Sequence, residues 1–172
     1  MARVYLSLGS NIDRYRYISA GLDALADRFG ELLISSVYES EAVGFDGDNF
    51  LNLVVGLDTG MELGALASVL RKIEHDNDRR RDGGPRFSAR TLDIDILTYD
   101  ELVGCHDGVD LPRDEIVKNA FVLLPLAEIA PQSVHPQSGQ SYRVLWQGYD
   151  KAQKLWPVDF DWRGRQISTR KL

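Results

Sequence analysis

The chain predicts a single α+β domain in which helices pack against an antiparallel sheet. Three observations carry this expectation. Apolar residues recur at a period near two in four short segments and at helical spacing in two longer ones. These segments follow one another as strand, helix, strand, strand, helix, strand. Finally, 172 residues with 44% hydrophobic content are enough for one sizeable core, and no repeat, low-complexity stretch or long linker divides residues 1–172.

Val4, Leu6 and Leu8 alternate along residues 3–8 as a first strand, closed by Gly9-Ser10-Asn11. From Tyr15 to Phe29, Ile18, Leu22, Leu25, Ala26 and Phe29 share one helical face, and Gly30 stands where a helix stops. Residues 32–38 and 49–57 are β-rich. Between them Glu41 to Asp48 is an acidic, glycine-containing loop, long enough to serve as a binding element rather than a plain hairpin turn. A second helix over 62–75 carries the stripe Leu63, Leu66, Leu70 and Ile73. Composition then shifts to the basic, glycine-rich Asp78-Arg79-Arg80-Arg81-Asp82-Gly83-Gly84-Pro85-Arg86, which reads as a mobile loop. It leads into Thr91-Leu92-Asp93-Ile94-Asp95-Ile96-Leu97, an alternation of acid and aliphatic residues that predicts a strand with one polar and one buried face. Beyond Asp110 a short helical tail is expected, with Phe121 to Leu126 strongly apolar, Pro131 ending its helix, and Trp146, Trp156 and Trp162 as packing anchors. This element order is that of a ferredoxin-like sandwich, with helices on one face of the sheet.

Charge narrows the function classes. Twenty Lys and Arg against 26 Asp and Glu give a formal charge of −6. That balance argues against nucleic acid as a partner, because counterion release needs a basic surface, yet it leaves room for an anionic substrate in a local basic site. Cys105 is the single cysteine, so no internal disulfide forms. The apolar run at the start is too short for a signal peptide, and no segment approaches the roughly 20 apolar residues that span a bilayer. A soluble, cytoplasmic protein is expected. There is no Walker-type phosphate loop, and His75, His106 and His135 show no zinc spacing.

The sharpest chemical signal is Asp93 and Asp95. Residues two apart on a strand share a face, so the two carboxylates converge about 7 Å apart at the backbone and repel unless a cation lies between them. Such a pair suits Mg²⁺, which takes one or two carboxylates plus phosphates and waters. Alone, an Asp-x-Asp is equally an exposed polar strand face, and an Arg run is more often a solvated loop. Here Arg79, Arg80, Arg81, Arg86 and Arg90 crowd the entrance to the acid pair. Guanidinium groups beside a metal-holding pair are the minimal equipment for phosphoryl transfer.

Several stretches together resemble one family. They are Tyr5-Leu6-Ser7-Leu8-Gly9-Ser10-Asn11, then Val37 to Gly44 with Asn49-Phe50-Leu51-Asn52, then Arg86-Phe87-Ser88-Ala89-Arg90-Thr91-Leu92-Asp93-Ile94-Asp95-Ile96-Leu97, and finally Asn119 to Pro131. In this order they resemble 6-hydroxymethyl-7,8-dihydropterin pyrophosphokinase, across the chain roughly to Pro136. The resemblance implies a ferredoxin-like fold and an ATP-dependent diphosphotransferase of folate biosynthesis. Pyrophosphate would pass from ATP to the hydroxymethyl group of the reduced pterin, releasing AMP, in an enzyme expected to be a monomer. It implies two Mg²⁺ ions held by Asp93 and Asp95, with Arg79, Arg90 and Arg81 on the phosphates and Glu74 near the nucleotide. Arg86 joins these as a nucleotide contact. Asn52 would read the pterin edge, Phe121 would stack on the ring, Phe50 takes a place where the family often has Tyr, and Ser40 and Val43 belong to the pterin loop.

Departures from the family pattern concentrate on the nucleotide side. Phe87 and Ser88-Ala89 replace Trp and Gly-Pro, Arg113 and Asp114 replace a His and its aromatic neighbour, and Asn119 replaces an Arg. Arg113 is expected to stand in for the histidine as a phosphate contact that stays charged at every working pH. Two other readings compete. One is a pterin-binding paralogue with weak or no transfer activity. The other is a non-enzymatic ferredoxin-like interaction module, which the acidic balance and the lack of an aromatic-basic strand motif disfavour.

Overall fold

In chain order the elements are β1 (Ala2–Ser10), α1 (Arg14–Phe29), β2 (Leu33–Ile34), β3 (Tyr38–Ser40), β4 (Phe50–Thr59), α2 (Leu63–Asp76), β5 (Asp93–Tyr99), β6 (Gly104–His106), β7 (Val109–Leu111), α3 (Glu115–Lys118), α4 (Ala120–Ile129), α5 (Tyr142–Gln147), β8 (Leu155–Pro157), β9 (Phe160–Trp162) and β10 (Arg165–Ser168). The computed structural model describes residues 1–41, 49–78, 90–150 and 153–170. Val43, Arg79, Arg81 and Arg86 lie outside the described residues, as does most of the acidic loop.

The main sheet runs β5-β1-β4-β3-β8, with β2 also paired to β4. β1 is antiparallel to both β4 and β5, so β1-α1-β2/β3-β4-α2-β5 builds the expected ferredoxin-like order. The strand read over 32–38 is two short strands, β2 and β3, each laid along part of β4. On one face, Val4, Leu6 and Leu8 of β1 meet Ile18, Leu22 and Leu25 of α1 and Leu66 and Leu70 of α2, all at most 1% exposed. The period of two and the helical stripe therefore bury each other, which stabilises both.

The opposite face is also covered. Tyr5, Val54 and Leu97 pack beneath Ile116 of α3, Val122, Leu123 and Leu126 of α4, and Tyr142 of α5. Helices on a single face were expected; the C-terminal segment instead forms a second layer. It does so because α4 is apolar nearly all round, which a helix on an exposed edge cannot be. A single residue serves as the main polar tie of this layer. Glu128 of α4 accepts from the Ser36 amide at 3.0 Å, the Ser36 hydroxyl at 2.8 Å and the Tyr38 hydroxyl at 3.0 Å.

Two further additions follow the core. β8 extends the sheet beyond β3 as its edge among the described residues, and Trp156 on it is 39% exposed rather than an anchor. The β9–β10 hairpin lies on α1: Phe160 stacks on Tyr15 at 5.2 Å, and Trp162 Nε1 donates to Asp23 Oδ1 at 3.0 Å. Among the described residues no helix is long and apolar enough to cross a membrane.

Candidate active site

One rung of the sheet carries the centre of the site. Asp93 lies opposite Gly9, Gly9 opposite Asn52, and Asn52 opposite Tyr38, so all four positions face the α3–α4 side. The next rung places Asp95 opposite Ser7, and Ser7 opposite Val54. Gly9 keeps the middle of the rung open. A Cβ there would meet Asn52 Oδ1 at 3.4 Å and Phe50 Cδ1 at 3.9 Å, so a longer side chain would grow into the space between the acid pair and the amide.

β5 is an edge strand whose outward backbone groups need partners. At Ile94, between the two aspartates, α2 supplies them. The Ile94 amide donates to Glu74 Oε2 at 2.7 Å, and the Ile94 carbonyl accepts from Arg71 Nη2 at 3.0 Å. Arg71 and Glu74 are themselves paired at 2.7 Å. Glu74 is 1% exposed, so in this structure it fixes the strand that carries the acids. Upstream, Asn11 clasps Arg90 twice: its Oδ1 accepts from the Arg90 amide at 2.6 Å, and its own amide donates to the Arg90 carbonyl at 3.0 Å. Arg90 Nη1 then reaches Asp93 Oδ2 at 3.0 Å.

A β-bulge shapes the other end of β5. Leu6 pairs with Ile96 but Tyr5 with Thr98, which leaves Leu97 as the extra residue. Its carbonyl accepts from the Arg113 amide at 2.9 Å. Arg113 Nη2 consequently stands 3.6 Å from Asp95 Oδ2, while Arg71 Nη2 stands 3.7 Å from Asp95 Oδ1. Glu115 Oε1 holds the Arg113 fork at 3.1 and 2.7 Å.

Asp95 is 8% exposed, which removes the reading of the Asp-x-Asp as an exposed strand face. Burial, then the charge of Asp93 and a hydrogen bond with it, push the Asp95 carboxyl up to about 7, against the pull of Arg113 and Arg71. Arg113 loses hydration by burial, yet Asp95 and Glu115 hold its pKa above the ordinary value. The donor set fits a hard divalent cation: two carboxylates on one face, close enough to repel, in a pocket that disfavours their joint ionisation. No group of three or more His, Cys, Asp or Glu side chains gathers for a metal among the described residues.

A cleft of about 710 Å³ opens beside Asp95, within the size of small-molecule sites. Arg71 and Arg113 line it together with Asp95, Asp107, Asp110, Asp114 and the backbone of Gly108. The β6–β7 tip bounds this cleft, and Asp107 Oδ2 accepts from the Gly64 amide in the first turn of α2 at 3.2 Å. Along the sheet, Asn52 Nδ2 donates to Ser40 Oγ at 2.7 Å, both residues buried. Phe121 lies in the first turn of α4 and packs, half-buried, on the second core cluster.

Thus Asp93, Asp95, Arg90, Arg113 and Glu74 come together at one end of the sheet, with Asn52, Ser40 and Phe50 along β3 and β4. Sequence reasoning missed Arg71. Its signal was the three-residue spacing to Glu74 on the α2 face that meets β5.

An antiparallel ferredoxin-like sheet thus brings a carboxylate pair beside guanidinium groups, the donor set that suits a polyphosphate and its counter-cation. The comparisons make that reading specific. Residues 5–131 match the model of the family described as 7,8-dihydro-6-hydroxymethylpterin-pyrophosphokinase (HPPK). The chain belongs to this family. It is 37% identical over 138 residues to the 2-amino-4-hydroxy-6-hydroxymethyldihydropteridine pyrophosphokinase of Aquifex aeolicus, covering 79% of this chain and 85% of that one. Against the protein of the same name from Pseudomonas aeruginosa it is 39% identical over 134 residues, covering 75% and 81%. Among solved structures, the wild-type HPPK-DHPS chain of Plasmodium falciparum with pterin and p-hydroxybenzoate superposes with a TM-score of 0.70 at 14% identity, a likeness of fold. That match covers 97% of this chain but 48% of the fused one.

Proposed function

We propose that this protein transfers pyrophosphate from ATP to the hydroxymethyl group of 6-hydroxymethyl-7,8-dihydropterin, releasing AMP, as a cytoplasmic monomer in folate biosynthesis. The observation that carries the reading is the buried Asp95 with the half-buried Asp93 on one face, flanked by Arg71, Arg90 and Arg113, in a chain that belongs to the HPPK family.

In this reading the hydroxymethyl oxygen of the pterin gives up its proton to solvent and attacks the β-phosphorus, the bond from that phosphorus to the oxygen bridging the α-phosphate breaks, and AMP departs with that oxygen. Asp93 and Asp95 would hold two Mg²⁺ ions, which supply charge neutralisation of the triphosphate and polarisation of its β-phosphoryl group. Arg113 and Arg71 face the cleft and offer guanidinium forks to phosphate oxygens, with Glu115 keeping Arg113 oriented toward Asp95. Arg90 steadies Asp93 and belongs to the same phosphate-binding group. Glu74 acts on the nucleotide side by fixing β5. Arg79, Arg81 and Arg86 complete the nucleotide contacts.

The pterin side is apolar with a few placed polar groups. Asn52, oriented by Ser40, presents an amide that can both donate and accept at the pterin edge. Phe121 and Phe50 supply stacking surface, Val43 is assigned to the pterin by resemblance alone, and Gly9 leaves the passage by which the hydroxymethyl group reaches the acid pair. The test is a coupled assay for AMP release with 6-hydroxymethyl-7,8-dihydropterin, ATP and Mg²⁺. Turnover that requires all three supports the reading; absence of turnover with intact pterin binding favours the non-catalytic paralogue.

A further inference from the structure

Phe121 lies in the first turn of α4, and the preceding segment does not cap that helix: Asn119 makes no side-chain capping bond. The cap comes from more than thirty residues downstream. The Ala120 amide donates to Gln153 Oε1 at 2.6 Å, and Gln153 Nε2 donates to the Lys118 carbonyl at 3.2 Å and lies 3.5 Å from Asn119 Oδ1. The Tyr149 hydroxyl donates to the same Lys118 carbonyl at 2.6 Å. Lys118 ends α3, where carbonyls lose their helical partners, and Ala120 begins α4, where amides lose theirs. One carboxamide therefore serves both sides of the joint, its oxygen toward the amide and its nitrogen toward the carbonyl.

The same segment packs on the aromatic side. Tyr149 stacks on Trp146 with centroids 5.7 Å apart and planes 18° apart, and both rings pack with Phe121 on one core cluster. Residues 146–153 fall beyond the stretch 5–131 that matches the family model.

We propose that Gln153 and Tyr149 are positioning residues for the pterin site: by fixing the α3–α4 joint they set the Phe121 ring, and so tune affinity for the pterin rather than for ATP. The proposal rests on Phe121 stacking on the pterin. Pterin feels the clamp first because Phe121 is covalently next to the capped amide. Arg113 stands a full α3 turn away from the clamp, linked to it through the α3 backbone and through Asn119 and Glu115, and Glu115 holds it independently.

The experiment measures pterin Kd by calorimetry, and KM for pterin and for ATP, in the full-length chain and its Gln153→Met, Gln153→Glu, Tyr149→Phe and Phe121→Ala variants. Gln153→Met keeps length but loses both bonds, and should raise pterin Kd and KM about five- to tenfold, as expected for net hydrogen bonds at a joint. ATP KM should stay within about twofold, since no bond to Arg113 itself is removed. Gln153→Glu retains an acceptor for the Ala120 amide and should fall between Met and wild type. Tyr149→Phe keeps the stack on Trp146 and should weaken pterin about threefold, which keeps the test open if the Met variant folds poorly. Unchanged pterin affinity in Gln153→Met and Tyr149→Phe overturns the proposal, as does an ATP KM that rises as much as the pterin KM. Wild-type protein that binds no pterin, or Phe121→Ala that binds it normally, overturns the pterin assignment and this inference together. Weak binding by Phe121→Ala with unaltered clamp variants overturns the inference alone.

Discussion

The face of the sheet beneath α1 and α2 is aliphatic from rung to rung, with Val4, Leu6, Leu8, Leu53, Val55, Ile94 and Ile96 closed off from solvent. Across the same strands, the opposite face begins as core at Tyr5, Val54 and Leu97 and ends as a site at Gly9, Asn52, Asp93 and Asp95. Both faces are built by one alternation, so every change that displaces a strand on the first face moves a functional side chain on the second. The aliphatic face gives rigidity, because a close-packed layer does not deform gradually. The site face draws on that rigidity to keep two repelling carboxylates at fixed spacing. The Arg71–Glu74 pair on Ile94 shows the division of labour, since it ties the strand down from the helix side while the acids project from the other.

The largest expected effect tests whether the acid pair is the working part of the site face. Asp93→Ala or Asp95→Ala should lower turnover by about 10³-fold or more, with the melting transition retained, because each removes a carboxylate proposed to hold the cation that offsets triphosphate charge. Near-normal AMP release at saturating Mg²⁺ in either variant would falsify the metal assignment.

A second prediction isolates the cost the site face imposes on the fold. Asp95 ionises at about 7 in the folded chain against an ordinary 3.8, so the folded state holds its proton to higher pH. That contribution to stability is complete below the unfolded value and is lost as pH rises toward about 7. Metal-free protein should therefore lose roughly 2–4 kcal/mol across this window, and Asp95→Asn should flatten the slope. Denaturant melts at pH 4 through 8 without divalent metal check this; parallel profiles for the two proteins would show that the carboxylate repulsion is relieved in some other way.

The pterin end of the same face should respond by smaller steps. Asn52→Ala removes an amide held by Ser40 and should weaken pterin binding by about 1–3 kcal/mol, because ligand polar groups are left unpaired. Phe121→Ala should weaken it through lost stacking and burial. Calorimetry that finds both variants at wild-type affinity would move the pterin pocket elsewhere.

The smallest effect is assigned to the cleft. Arg113→Ala should raise the KM for ATP about tenfold and leave pterin affinity unaltered, as for loss of one charged hydrogen-bonding partner. Arg113→His should work better at low than at high pH, since the imidazole loses its charge near pH 6.5. Wild-type ATP kinetics in Arg113→Ala at every pH would leave this arginine as a partner of Glu115 and Asp95 only.

Local pattern was enough to read the alternation of Val4, Leu6 and Leu8, the stripes of α1 and α2, and the convergence of Asp93 and Asp95, because each depends on the pitch of a single element. The strand order followed from the sequence of elements, since few topologies join them without crossing. Burial of Asp95 was not legible: an Asp-x-Asp looks the same under solvent or under a helix, and α3 and α4 lie more than fifteen residues on. Arg71 showed in the sequence only as a neighbour of Glu74 on α2, because its tie to the site, through the Ile94 carbonyl and Asp95, crosses to another element. The second helical layer, the bulge at Leu97 and the Gln153 clamp were likewise decided by contacts between distant segments, where the apolar surface and unpaired backbone groups left by one element are satisfied by another.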